Sequence, residues 1–183
     1  MTPPDATVAY TVLPSPLGRL LAAVTADGLA AVVFVADGVG QAVQQLAERL
    51  SARTVEDPPR LAAVRDQLDG YFAGAQTVFD LPLDWSLLGD GFARRVLHAT
   101  ARIPYGQVAT YGEVAAAAGN PRAARAAGNA LGANPLAIVV PCHRVVRRGG
   151  DVGGYTGGAH LKHALLALEG ALQSAQRGPA PRQ

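Results

Sequence analysis

Short apolar runs separated by turn residues mark the first half of the chain. The segments Val8 to Val12 and Arg19 to Val24 predict β-strands, and the Val-rich segment Leu29 to Val35 predicts a third. The Asp27-Gly28 turn separates the second predicted strand from the third. This pattern indicates the strand-forming part of a small α/β unit.

Helical periodicity follows the predicted strands. Apolar residues recur every three or four positions from Val39 to Leu50 and again from Pro59 to Phe72, as on one face of a helix. Gly74 would end the second helix. Asp66 and Asp69 would share a face of that helix, but no histidine, cysteine or third carboxylate accompanies them. We therefore interpret the two aspartates as part of a solvated surface.

The stretch Leu81 to Gly91 contains one proline and two glycines and gives the predicted domain boundary. An N-terminal α/β supporting domain is expected over residues 1–88, and a mainly helical domain over residues 89–172. A helix from Phe92 to about Arg102 should open the second domain. The polar, proline-containing stretch 173–183 is expected to be a disordered tail.

A helix-turn-helix is predicted inside the second domain. Thr110-Tyr111-Gly112-Glu113 has the form of a capping box, so a helix should begin there and stop at Gly119. Asn120-Pro121 is a second start signal, an N-cap followed by proline, for a helix that reaches about Leu131. Two short helices joined by a glycine-containing turn are typical of a DNA-binding motif. The arginines of the second helix are Arg122 and Arg125.

Composition narrows the class of protein. The chain is 49% hydrophobic and 16% charged, which predicts a packed core. Residues 1–88 carry five arginines and ten carboxylates, a net charge of −5, whereas residues 89–183 carry a net charge of +7. A basic half beside an acidic half suggests a polyanionic partner, although solvated surface charge explains the same numbers equally well.

Several classes of protein are excluded by the same sequence. No secretory signal is visible from Met1 to Tyr10, and no apolar run reaches the roughly 18 residues of a membrane span, so we expect a cytoplasmic protein. The single cysteine excludes an intramolecular disulfide. All four histidines lie in the second half, and we expect neither a metal nor another cofactor.

The single cysteine stands in the stretch Pro141-Cys142-His143-Arg144, after a β-prone run from Ala137 to Val140. In most proteins a cysteine among valines is a buried and inert hydrophobic residue. Here Pro141 ends the predicted strand, and the basic residues that follow favour the nucleophilic thiolate. Paired glycines from Gly149 to Gly158 bracket Tyr155-Thr156, and such a loop lets the backbone approach a planar ligand.

In this region the chain resembles the O6-alkylguanine-DNA alkyltransferases, also called methylated-DNA–protein-cysteine S-methyltransferases. Pro141-Cys142-His143-Arg144-Val145 is similar to their active-site signature. Over the first half the resemblance rests only on length and the order of elements. The other matching segments, in one register from about Phe92 to Gly170, are Ile103-Pro104-Tyr105-Gly106, Tyr111, Gly119 to Arg125, Asn134-Pro135, Gly154 to Gly158 and Leu165 to Gly170.

The resemblance implies direct-reversal DNA repair, in which an alkyl group moves from O6-alkylguanine to Cys142 and inactivates the protein. O4-alkylthymine is a second candidate substrate. His143 would be the base that takes the thiol proton through a water, and Glu169 would orient it. Asn134 would brace the turn that carries the cysteine. Tyr111 would help rotate the nucleotide out of the duplex and protonate guanine N3.

The resemblance also implies how DNA is held. The partner would be double-stranded DNA, bound through its minor groove by a monomer, with Arg125 filling the gap left in the base stack. Ala137 stands where some members have proline, so the tolerance of bulky adducts does not follow from the family. The other residues expected to face DNA are Tyr111, Arg122, Ala123, Ala124 and Gly128. The residues expected to line the guanine pocket are Tyr155, Thr156, Val145 and Gly157.

Two other functions compete with this interpretation. In a cysteine hydrolase the cysteine and histidine are usually far apart in sequence, and adjacent side chains such as Cys142 and His143 rarely point at each other. Turnover of an ester or peptide would favour that class. A DNA-binding module without chemistry would leave an alkylated duplex unchanged.

Overall fold

The computed structural model describes residues 7–36, 38–149 and 151–177, which form two compact units. The first unit ends at Leu87 and also includes Pro135–Ala137. The second unit comprises Leu88–Asn134 and the chain from Ile138 onward. The sequence predicted two contiguous domains, so it did not predict that Pro135–Ala137 belong to the first unit.

A four-stranded sheet forms the framework of the first unit. Strands β1 (Thr7–Leu13), β2 (Leu20–Val24) and β3 (Leu29–Phe34) pair antiparallel in chain order, and β4 (Arg53–Glu56) pairs parallel with the free edge of β1. The three predicted strands are confirmed, with ends shifted by at most one residue. The fourth strand was not predicted because its four mostly exposed residues show no apolar pattern.

Two helices complete the first unit: α1 (Val39–Leu50), with the predicted bounds, and α2 (Ala62–Phe72). The segment Pro58–Leu61 is a 3-10 turn rather than the start of α2, because the Arg60 N–H donates to the Asp57 carbonyl three residues before it, as in a 3-10 helix. Asp57 caps this turn by accepting the Arg60 N–H. Buried residues of the sheet and of α1 pack together in one hydrophobic cluster. Its members are Val8, Ala23, Ala30, Ala31, Leu46, Leu50 and Leu87.

The segment Pro135–Ala137 lies beside β3. The Val32 N–H donates to the Pro135 carbonyl and the Ala137 N–H donates to the Val32 carbonyl, each at 2.8 Å. The strand predicted over Ala137 to Val140 is wrong, because the structure has only an isolated bridge at Leu136. Ile138 adopts a φ of +72°, which a strand does not accommodate.

The second unit is mainly helical, as predicted. Its helices are α3 (Phe92–Thr100), α4 (Tyr111–Ala117), α5 (Ala124–Gly132), α6 (Ala159–Leu168) and α7 (Leu172–Arg177). A two-residue strand β5 (Ala109–Thr110) pairs parallel with β6 (Val145–Val146), and this pairing brings the chain after Cys142 next to the start of α4.

The predicted capping box at the start of α4 is present. The Thr110 hydroxyl accepts the Glu113 N–H at 3.2 Å, and the Glu113 carboxylate accepts the Thr110 N–H at 2.7 Å. Gly119 has a φ of +88°, a conformation that suits glycine and ends the helix.

Helix α5 begins at Ala124, three residues after the predicted start at Pro121. Asn120 accepts the Arg122 N–H with its side chain and the Ala123 N–H with its carbonyl, so these residues form a turn instead of a first helical turn. The two helices and this turn form the predicted helix-turn-helix.

The expectation of a disordered tail is wrong for residues 173–177, which belong to α7, whereas residues 178–183 lie outside the described part of the chain. Ala171 and Ala175 are fully buried in a cluster with Val146, Val152 and Leu166. Ala171, directly before the helix, and Ala175, within it, therefore pack against the rest of the unit, which the polar composition of the stretch concealed. Within the described ranges, no helix is long and apolar enough to cross a membrane.

Candidate active site

Cys142 lies on a single 3-10 turn, Cys142–Arg144, at the start of the path into β6. Its N–H donates to the Val140 carbonyl at 2.8 Å, which bends the chain tightly before the thiol. The positive φ of Ile138, a β-branched residue, adds strain of about 1–3 kcal/mol to the segment that leads to the cysteine. The surrounding packing therefore determines where the sulfur sits.

Asn134 holds this turn from the end of α5. Its side-chain amide donates to the Val140 carbonyl at 2.8 Å and to the Cys142 sulfur at 3.2 Å. Burial raises the pKa of the Cys142 thiol, and the amide of Asn134 and the ammonium of Lys162 lower it again. The position agrees with the bracing role expected for Asn134, and the amide also donates directly to the sulfur.

His143 is buried in the interior of the unit. Its Nε2 lies 2.8 Å from Oε1 of Glu169, and both side chains are fully buried. Because Glu169 is anionic, Nε2–H donates to it and the lone pair remains on Nδ1. No described residue makes a hydrogen bond to Nδ1, so this nitrogen is free to accept a proton. Burial lowers the pKa of His143, which keeps the imidazole neutral.

Glu169 caps the C-terminus of α6, where the helix dipole disfavours a negative charge. Arg144 compensates with a bidentate contact, Nε to Oε2 at 2.8 Å and Nη2 to Oε1 at 2.9 Å, and also donates to the Ile103 carbonyl. Burial alone would raise the pKa of Glu169, but the hydrogen bonds from His143 and Arg144 outweigh it and hold that pKa at about 2. Sequence reasoning missed this role of Arg144.

A cavity of about 270 Å³ opens over the sulfur. Tyr155 and Thr156 line it as expected, and the Thr156 hydroxyl donates to the Gly132 carbonyl at 2.8 Å. The buried Tyr155 hydroxyl has no hydrogen-bond partner of regular geometry among the described residues, yet it lies near enough to Cys142 for the two ionisations to oppose each other. The full lining is Tyr111, Gly128, Leu131, Gly132, Cys142, Gly154, Tyr155 and Thr156.

Two residues expected in the pocket do not line this cavity. Val145 is fully buried in β6, where its carbonyl accepts a hydrogen bond from Lys162, and Gly157 lies in the turn before α6. Gly128, expected to face DNA, lines the cavity. A Cβ atom there would stand 3.6 Å from the Tyr111 ring, so glycine lets α5 approach that ring.

The arginines expected to contact DNA lie on the surface of the second unit. Arg122 and Arg125 are exposed, while Ala123 and Ala124 are half-buried at the start of α5. Tyr111, the first residue of α4, faces the cavity and packs near Gly153. The structure thus separates the expected site residues into a buried cysteine cluster and an exposed basic surface.

Sequence reasoning also missed Lys162. Its side chain is completely buried, and its ammonium donates to the carbonyls of Val145 and Gly154. The available signal was spacing, because Lys162 precedes Glu169 by seven residues and two helical turns bring both to one face of α6. A charge on that face, among buried leucines, needs a polar partner.

The fold and this cluster define a class: a protein that carries a buried free cysteine and an adjacent histidine–glutamate pair on a helix-turn-helix domain. Comparison with known proteins is more specific. Residues 8–85 match the ribonuclease-like domain of 6-O-methylguanine DNA methyltransferase, and residues 91–171 match the DNA-binding domain of the same family. The chain belongs to the O6-methylguanine-DNA methyltransferase family, and the resemblance seen in the sequence is confirmed.

Individual relatives agree with the family assignment. The chain is 50% identical to the methylated-DNA–protein-cysteine methyltransferase of Mycolicibacterium paratuberculosis over 127 residues, 69% of this chain and 76% of the relative. It is 39% identical to the protein of that name from Methanosarcina acetivorans, over 88% of this chain and 98% of the relative. The crystal structure of Mycobacterium tuberculosis O6-methylguanine methyltransferase matches with a TM-score of 0.76, 40% identity and coverage of 95% and 96% of the two chains.

Proposed function

We propose that this protein repairs DNA by direct reversal, moving an alkyl group from the O6 of guanine to Cys142 in a single turnover. The observation that carries the proposal is the thiol of Cys142 at the base of a cavity, braced by Asn134 and next to the His143–Glu169 pair. The family membership supports the same reaction.

The reaction balances with these residues and one water. The Cys142 thiol loses its proton, through an intervening water, to Nδ1 of His143, whose Nε2–H remains bound to Glu169. The thiolate attacks the alkyl carbon, a carbon–sulfur bond forms and the carbon–O6 bond breaks. Its electron pair stays on guanine, which takes a proton at N3 from Tyr111. The products are neutral guanine, a stable thioether, a protonated His143 and a deprotonated Tyr111, and no step regenerates the thiol.

The exposed basic surface of the second unit would receive the duplex. A net charge of +7 over residues 89–183 suits a phosphate backbone, and the small residues at the start of α5 suit a minor groove that encodes bases poorly. Arg125 would occupy the space of the extruded nucleotide. A crystal structure of the M. tuberculosis relative in complex with DNA, 37% identical with a TM-score of 0.74, supports this partner.

Intact-protein mass spectrometry after exposure to a duplex that contains O6-methylguanine tests the proposal. We expect a gain of one methylene per protein on Cys142, and no transfer to Cys142→Ser, which should still bind the duplex. Methyl release beyond one equivalent per protein would contradict a single turnover. Turnover of esters without alkyl transfer would instead support a cysteine hydrolase, and binding without any mass gain would support a DNA-binding module.

The same assay with O4-methylthymine in the duplex tests the second candidate substrate. A cavity of about 270 Å³ accepts either base, so we expect transfer from both, slower from thymine because the smaller pyrimidine ring fills less of the cavity than a purine. An unchanged protein mass after prolonged exposure would restrict the substrate to O6-alkylguanine.

A further inference from the structure

Lys162 is the only lysine in a chain that otherwise uses arginine for every strong base. Its side chain is 0% exposed, and a buried ammonium is costly unless polar groups or an opposite charge compensate it. An ammonium is a compact charge with three donors, whereas a guanidinium is planar and larger. The position therefore requires a small, buried positive charge.

The ammonium joins the segments that form the cavity. It donates to the Val145 carbonyl and, at 3.4 Å, to the Gly154 carbonyl, and it lies 5.7 Å from the centre of the Tyr111 ring. Gly154 and Tyr111 both line the cavity over the cysteine sulfur. Val145 follows the 3-10 turn that carries Cys142. One side chain thus ties the glycine-rich loop to the segment behind the nucleophile.

No carboxylate in the described part of the chain lies within ion-pair distance of this ammonium. Among the neighbouring charges, that of the Cys142 thiolate does most to raise the pKa of Lys162. The ammonium of Lys162 in turn lowers the pKa of the Cys142 thiol. Burial lowers the pKa of Lys162 to about 8. The other titratable or charged groups that face it are Tyr111, His143, Arg147 and Asp151.

We propose that Lys162 is a positioning residue for the alkyl transfer: its buried ammonium holds the Gly154–Tyr155 loop over the cavity and stabilises Cys142 as a thiolate. This inference rests on the proposed function, because the thiolate is the attacking group of that reaction. A purely structural lysine would hold the loop without changing the ionisation of the sulfur.

The single cysteine gives a direct test. The ultraviolet absorbance of the thiolate, followed against pH, should show a midpoint about one unit higher in Lys162→Met than in the wild type, and alkylation by iodoacetamide at neutral pH should be about tenfold slower. Lys162→Arg should restore both effects only in part, because it keeps the positive charge but not the compact shape of an ammonium. Arg94→Met, which removes an exposed cation paired with Asp90, should change neither. A folded Lys162→Met with the wild-type midpoint overturns the proposal.

The single lysine gives a second test that does not depend on whether Lys162→Met folds. Carbon-13 NMR of the lysine side chain reports its ionisation in the wild type and in Cys142→Ser. Because the coupling is reciprocal, removing the thiolate should lower the lysine midpoint by about half a unit or more. Equal midpoints overturn the proposal. Neither test involves DNA, so an absence of alkyl transfer in the wild type would contradict the proposed function and leave both tests valid.

Discussion

The two units of this protein bury different kinds of side chain. Among the described residues of the first unit, the buried polar or charged side chains are only Thr11 and Asp84. Asp84 accepts hydrogen bonds from the Thr25 hydroxyl at 2.6 Å and from the Ser86 N–H at 2.8 Å. Both contacts are local to the edge of the sheet, and the rest of that core is aliphatic or aromatic.

The second unit buries an ionisable network instead. Cys142 is almost inaccessible, and the buried charged or basic side chains are His143, Arg144, Lys162 and Glu169. Replacing such a network with packed apolar residues is often neutral or stabilising, so stability alone does not explain it. The comparison indicates that the first unit is built for packing, whereas the second buries charges whose use, on the proposed function, would be to control the protonation of one sulfur atom.

Glu169→Gln should have the largest effect, because it removes the charge that both Arg144 and His143 require. We expect the alkyl-transfer rate to fall by about 10²–10⁴ and the free energy of unfolding of the second unit to fall by about 3–5 kcal/mol. Single-turnover kinetics and urea denaturation measure the two effects. Glu48→Gln, an exposed change on α1, is the matched control. Lost stability with a wild-type rate would limit Glu169 to a structural role.

Leu21→Ala tests the other side of the comparison. Leu21 is 1% exposed in β2, and truncation of such a side chain costs about 2–5 kcal/mol. We expect that loss in the unfolding of the first unit, while the folded protein transfers alkyl groups at the wild-type rate. The measurement pairs denaturation with the rate at a temperature where the variant remains folded. A rate reduced along with stability would show that the sheet contributes to the chemistry.

The parts of the molecule that could be predicted from the sequence are those governed by local pattern. The three strands, α1 and the capping box at Thr110 depend on periodicity and on neighbours within four residues, and these predictions are confirmed. The start of α5 was wrong because a side-chain turn at Asn120 competed with the proline signal. Both signals were visible, but their relative strength depends on tertiary packing.

The buried charges could not be predicted in the same way. Arg144 is adjacent to His143, yet its partner Glu169 is 25 residues away, and only the fold shows that all three meet. Exposed arginine is the usual state, so sequence alone gives no reason to expect Arg144 inside. The positive φ of Ile138 is likewise imposed by its surroundings, since isoleucine disfavours that conformation.

Acid should destabilise the second unit more than the first. The pKa of Glu169 is lowered to about 2, so its contribution is complete above its ordinary value of 4.5 and is lost as the pH falls from there toward 2. The lowered pKa of His143 acts in the same direction below 6.5, because the unfolded chain binds that proton more readily. Between pH 5 and 3.5 we expect Glu169 to contribute a loss of about 1 kcal/mol, to which His143 adds, measured by urea denaturation and smaller in Glu169→Gln. A pH-independent difference would contradict the ionised state of the pair.

The exposed surface of the second unit should respond to substitution less strongly than the buried network, and in a substrate-dependent way. Arg125→Ala removes the side chain proposed to fill the base stack, so transfer from paired duplex should slow by about tenfold, whereas transfer from a single strand or from free O6-benzylguanine should change little.

Tyr111→Phe keeps the ring against Gly128 but loses the hydroxyl, so its rate should fall on all three substrates. Single-turnover rates for both variants, with Arg94→Met as the control for lost charge, separate extrusion from proton transfer. Equal losses for Arg125→Ala on every substrate would show that its charge, and not its place in the stack, is what the reaction uses.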